Sequence, residues 1–154
     1  IGVSSTNVGT LEFLKSFYRM PENIVLHMIA GIANPQSLTR KKELPDRVLI
    51  LGYKKYGFGL TYNETEVENN LKHWRFLMPT ILRTCPSVSF DNLAIEQLGI
   101  KKLISEEVWN RNYMGDDGQF TMYVDAVREE YAVSSTSERK PISGKNIFQM
   151  FDSL

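Results

Sequence analysis

Two stretches limit what this chain can fold into more than any others: NIVLHMIAGIA at residues 23–33 and RVLIL at residues 47–51. Both are almost unbroken apolar runs rich in β-branched residues, a pattern that suits strands covered on both faces of a parallel sheet. Helix-period segments alternate with them. VGTLEFLKSFYRM sets Leu11, Leu14, Phe17 and Tyr18 on one stripe, with Thr6 or Asn7 as a cap and Pro21 as a stop. SLTRKKEL reads as a short helix or loop. From Thr65 to about Arg83, Val67, Leu71, Trp74, Met78, Ile81 and Leu82 recur at helical spacing, with Pro79 as an expected kink. SVSF then gives a brief strand, Asp91-Asn92 a turn, and LAIEQL a short helix ended by Gly99. EEVWNRNYM predicts one more helix before QFTMYVDAV, which alternates like a strand.

Strands and helices in alternation indicate an α/β fold, either a partial parallel (β/α) barrel or an open parallel sheet covered by helices. It is expected over residues 1–137. A polar linker and a C-terminal amphipathic helix carrying Ile147, Phe148, Phe151 and Leu154 follow at 138–154, the helix packing back on the sheet. IGVSS has the look of a strand in progress, so a segment upstream of Ile1 is expected.

Composition narrows the function classes. The 154 residues are 42% hydrophobic, enough for one sizeable core. Lys plus Arg and Asp plus Glu both total 18, so no global field draws in nucleic acid or acidic lipid. No apolar run reaches the roughly 20 residues that span a bilayer, and the expected location is the cytoplasm. With Cys85 as the one cysteine, the chain has no intramolecular disulfide and no cysteine set for an iron–sulfur cluster or structural zinc.

In parallel α/β folds, ligand groups gather at the carboxyl ends of strands. That nominates Ser4-Ser5, Ala33-Asn34, Tyr53-Lys54-Lys55, Asp91-Asn92 and Asp125. Asp91 fits two roles, a helix cap or a polar group facing a cavity, with Lys54 or Lys55 as a partner. Asp125, at the far end of a predicted strand, faces either solvent or a site. GDDG lacks the spaced ligands and distal glutamate of a calcium loop; it is a glycine-bounded turn or a substrate-facing loop bearing Asp116, Asp117 and Gln119. GYKKYGFG has neither phosphate-loop spacing, and its glycines allow a sharp exit from the strand. His27 and His73 have no second ligand at metal spacing and read as structural. Cys85 reads as an ordinary thiol.

GVSSTN, VLHMIAGI, VLILGYKKYGFG, SFDNLAIEQLGI and YMGDDGQFTMYVDAVREEYAVSSTS, in that order, resemble the C-terminal half of radical S-adenosylmethionine proteins of a type carried by bacteria and their phages. The likeness covers Ile1 to about Ser137. It implies a partial parallel barrel, a [4Fe-4S] cluster held by a CxxxCxxC motif in the family's N-terminal half, and reductive cleavage of S-adenosylmethionine. The cluster motif is absent here, so its ligands map onto no residue of this chain and no cofactor is expected within it. Lys54, Asp91, Asn92 and Asp125 are the candidates for substrate-side or adenosine-side contacts, with Asp116, Asp117 and Gln119 on a covering loop.

The resulting expectation is a substrate-facing part that is catalytically silent alone and active when joined to its missing N-terminal half. An open sheet edge and an uncovered apolar face should pair with that half or with a second copy. Two rivals remain: a stand-alone interaction module that keeps the fold without the chemistry, and a metal-dependent hydrolase or transferase using Asp116, Asp117 and Asp125.

Overall fold

The computed structural model describes residues 1–6, 9, 24–40 and 46–154. All but residue 9 of the helix expected over 8–20, its stop at Pro21 and the KKEL stretch lie outside them. The chain divides into two compact units, Ile1–Glu106 and Glu107–Leu154, so the boundary expected after residue 137 falls inside the second.

In the first unit, β1 (Gly2–Ser4), β2 (Val25–Ile29), β3 (Arg47–Leu51) and β4 (Val88–Phe90) form a parallel sheet in the order β1-β2-β3-β4. The order follows the chain without reversal. Register aligns Leu26 with Val48 and Met28 with Ile50, which sets these four on one face. All four are at most 1% exposed. On the opposite face Ile29 is 39% exposed, and His27, Leu49 and Leu51 are half-buried. The unbroken apolar runs predict cover on both faces; among the described residues only one is covered. The apolar run past Ile29 belongs to a buried turn, where Ala30 and Ala33 donate to Leu51 O and Ile29 O.

A short 3-10 turn at Pro35–Thr39 follows, capped by Asn34. Helix α1 (Glu64–Thr84) runs through Pro79 and buries Val67, Leu71, Trp74, Met78 and Ile81 in the same core as the covered sheet face. Its ends obey the sequence chemistry: Asn63 Oδ1 accepts from Thr65 N and Glu66 N, acidic Glu64 and Glu66 sit in the first turn, and Arg83 in the last. Trp74 Nε1 donates to Ala33 O at 2.8 Å and Asn70 Nδ2 to Gly31 O at 3.1 Å. Gly31 has φ +86, and a Cβ there would lie 2.9 Å from Val67 Cγ1, so glycine lets the helix close on the turn. Helix α2 (Asn92–Leu98) starts at Asp91 and ends at left-handed Gly99, as the sequence predicts.

Cys85 caps the C-terminus of α1, 7% exposed, with Sγ directed at Leu38 O. Burial pushes its thiol from 9.0 up to about 11. In the folded protein the thiol stays neutral where the unfolded chain already ionises, so this group's contribution is intact below pH 9 and is lost as pH rises towards 11. The urea midpoint of the wild type should fall over that window relative to Cys85→Ala. A disulfide exchange reagent at pH 8 should label Cys85 only after unfolding; rapid labelling of the native protein refutes the burial.

All but the first residue of α3 (Glu106–Asn112) belongs to the second unit, where Trp109 and Tyr113 stack at 4.2 Å. β5 (Tyr123–Asp125), β6 (Glu130–Ala132) and β7 (Lys140–Pro141) form an antiparallel meander. The strand expected from QFTMYVDAV is therefore shortened, and it belongs to this meander and not to the parallel sheet. The cause is the turn that follows: Asp125 Oδ1 accepts from Val127 N and Arg128 N, and Glu129 adopts φ +54, folding β6 straight back. Helix α4 (Ile147–Asp152) has a reciprocal cap between Asn146 and Gln149. It is tied to β6 through fully buried Tyr131, whose hydroxyl meets Ser153 Oγ at 2.5 Å and accepts from Lys145 Nζ at 2.7 Å. The Lys145 hydrogen bond holds the Tyr131 phenol below its usual range. Lys140 Nζ donates to Ser153 O, a cation at the helix C-terminus.

Candidate functional site

The carboxyl ends of β1, β2 and β3 open into two adjoining hollows. One, of about 410 Å³, is bounded by Ser4, Ser5, Thr6 and His27 on its polar side and by Ile29, Ile32, Ala33, Leu51 and Tyr62 on its apolar side. The other, of about 490 Å³, shares Ile29, Ile32, Leu51 and Tyr62 and adds Tyr53, Tyr56, Phe58, Lys54 and Asp91. Both lie where an α/β fold with parallel strands carries its ligands.

Asp91 is the best-defined polar group here. Its Oδ1 accepts from Ala94 N at 2.8 Å, capping α2, and from Gly52 N at 2.8 Å, fastening the end of β3. The two roles weighed for this residue therefore coincide: it caps a helix and faces a hollow. Gly52 is required by the close approach, since a Cβ would come within 2.5 Å of Leu93 Cγ and 2.7 Å of Ala94 N. Lys55, one of the partners weighed for Asp91, pairs instead with Glu64 at 2.5 Å, and hydrogen bonding to Glu64 raises its pKa.

Sequence reasoning missed Gln97. Its Oε1 accepts from Tyr53 N and its Nε2 donates to Tyr53 O, both at 2.9 Å, so one side chain gives the exit of β3 the pair of bonds that a neighbouring strand would supply. Arg75 Nε fixes Gln97 in turn through the Gln97 carbonyl at 2.7 Å. No local pattern in LAIEQL signals this contact across 44 residues. His27, which reads as structural in sequence, lines the first hollow. Its ring lies against Gly2, where a Cβ would be 2.5 Å from Cε1.

Of the residues nominated from sequence, the structure brings Lys54 and Asp91 to one hollow. Asn92 begins α2 and is half-buried beside Asp91. Asp125, Asp116, Asp117 and Gln119 belong to the second unit. There Tyr113 OH donates to Asp116 Oδ1, and Gln119 Oε1 accepts from Asp116 N at 3.2 Å, closing the GDDG turn. The bond to Asp116 holds the Tyr113 phenol above its usual range.

The residues present do not fit an iron–sulfur cluster. Cys85 is buried at the end of α1, and among the described residues no three of His, Cys, Asp and Glu are grouped to hold a metal ion. Among those residues, too, no helix is long and apolar enough to cross a membrane. Comparison with protein-family models, with curated proteins and with solved structures finds no match to this chain.

Proposed function

We propose that this chain is the substrate-facing part of a radical S-adenosylmethionine-type barrel, and that it acts only with a cluster-bearing half that it does not contain. The observation that carries the reading is the sheet itself. Four parallel strands follow chain order without reversal, one face is half-open, and polar groups converge at the carboxyl ends. A doubly wound fold reverses its strand order at the ligand crevice, whereas a barrel does not.

The partner half would supply reductive cleavage of S-adenosylmethionine. This chain's own residues bind and orient. Ser4, Ser5 and Thr6 offer hydroxyl groups beside the apolar floor of Ile29, Ile32 and Leu51, a setting suited to a ribose and its attached ring. Asp91 accepts hydrogen bonds from substrate, and Lys54 neutralises an anionic group. The Oδ1 of Asp125 is committed to its hairpin, which leaves Asp91 and Lys54 as the residues that orient substrate.

The test is the intact mass of the polypeptide recovered from its native host with an antibody against the C-terminal helix. A mass well above 17.7 kDa, with iron and sulfide in an anaerobic preparation, is expected. A mass of about 17.7 kDa without iron would favour the second reading, a stand-alone interaction module. That reading draws on the half-open face around Ile29 and on the edges of β1 and β4. A chain that scatters light as a monomer and binds no hydrophobic dye would count against any partner surface, including self-association.

A further inference from the structure

The loop from Gly52 to Asn63 is pinned throughout. Tyr53 OH donates to Gly59 O at 2.5 Å, Tyr56 N to Lys54 O, Gly59 N to Tyr56 O, and Thr61 Oγ1 to Phe58 O at 2.7 Å. A Cβ on Gly59 would lie 1.9 Å from Lys54 O, so the loop folds tightly on itself and admits no side chain there. Yet this rigid loop holds Tyr56, Phe58, Leu60 and Tyr62 at 66%, 91%, 63% and 44% exposure. A fixed loop that keeps large apolar groups in water gains nothing from them in folding. Three of the four, together with Tyr53, wall the second hollow.

A polar observation complements the aromatic one. Both hydrogen bonds of the Asp91 carboxylate go to Oδ1. Oδ2 has no partner among the described residues, on a side chain that lines the same hollow. Aromatic walls select a flat ring, and an unused carboxylate oxygen selects a hydrogen-bond donor. With a net charge of zero the chain offers no field for a polyanion.

We propose that the hollow between Tyr53, Tyr56, Phe58, Tyr62 and Asp91 binds the amino-bearing base of a small nucleoside substrate, stacked on the aromatic wall and donating to Asp91. This rests on reading the strand ends as substrate-facing and adds the substrate's class. The stack sets the plane of the ring and Asp91 sets its edge; uracil's one donor, N3–H, lies between two carbonyl oxygens that a carboxylate repels, so purines and cytosine with exocyclic amines fit better than uracil.

The test is direct titration of the purified chain with adenosine, guanosine, cytidine and uridine, read by saturation-transfer NMR. It needs neither iron nor radical chemistry, so its outcome is separable from that of the mass and iron measurement. At least one amino-bearing nucleoside should saturate, and Phe58→Ala or Tyr62→Ala should weaken it roughly 5- to 150-fold, the worth of one base–aromatic stack. Melting curves of these variants should match the wild type, because the side chains are exposed. Asp91→Asn should weaken the amino-bearing nucleosides and leave uridine unaffected. Absence of saturation by any nucleoside up to about 1 mM overturns the proposal. Binding that falls with Ser4→Ala and ignores Phe58→Ala also overturns it, since the nucleoside then occupies the other hollow.

Discussion

Trp74→Ala should bring the first unit close to unfolding at room temperature. The indole is 0% exposed in the centre of the stripe that α1 buries, and truncating such a side chain costs about 3–5 kcal/mol. A further loss follows from Ala33 O, which accepts the Nε1–H at 2.8 Å and is left without a donor in a buried turn. Set against a total stability of about 5–15 kcal/mol for a typical domain, this single change removes a large share. Trp74→Phe separates the two causes: it keeps most of the apolar volume and loses only the donor, so it should cost about 1–3 kcal/mol. Urea unfolding followed by far-ultraviolet circular dichroism measures both. The effect reaches the candidate site because Ala33 and Ile32, in the turn that Trp74 and Asn70 hold, line the first hollow. A Trp74→Ala protein that unfolds at the wild-type urea concentration would mean that α1 does not pack on this turn.

What the sequence conveyed well was local. The long amphipathic helix, the Asp91 cap and the Gly99 stop are each set by side chains within a few residues of one another, and all lie where the pattern puts them; the Asn63 cap that starts the long helix is equally local but was not read from the sequence. The buried strands β2 and β3 were legible as strands, because β-branched residues in apolar runs have few other uses. That one of their faces is only half-covered among the described residues was not, because an unbroken apolar run does not mark which face is packed. The direction of β5 was also hidden. Alternation is the same in parallel and antiparallel sheets, and the deciding feature is the Asp125 turn, whose side-chain bonds to Val127 N and Arg128 N look in sequence like any aspartate near a strand end. Gln97 was illegible for a different reason: its two bonds to Tyr53 join elements far apart in the chain. Asp91 lay between these cases, since its cap is local and its bond to Gly52 N is not.

That double role makes Asp91 the residue whose substitution should say most about function. Asp91→Ala removes the α2 cap, worth about 0.5–2 kcal/mol, and leaves Gly52 N without its acceptor at the point where β3 meets α2. The loss should reach about 2–3 kcal/mol in total, since an unsatisfied part-buried donor adds its own penalty. Activity lost in that variant would therefore report collapse of the strand end as much as loss of a substrate contact. Asp91→Asn does not have this ambiguity. Its Oδ1 can still accept from Ala94 N and Gly52 N, so stability should stay within about 1 kcal/mol of wild type, while the hollow receives an amide N–H in place of a carboxylate oxygen. On the proposed reading, in which this chain completes a radical enzyme, Asp91→Asn should lower turnover of that enzyme roughly 10- to 150-fold, the worth of a hydrogen bond to a charged group. Wild-type turnover in a stable Asp91→Asn enzyme would assign the carboxylate to architecture alone, and Lys54 would then be the only residue of the pair left to orient substrate.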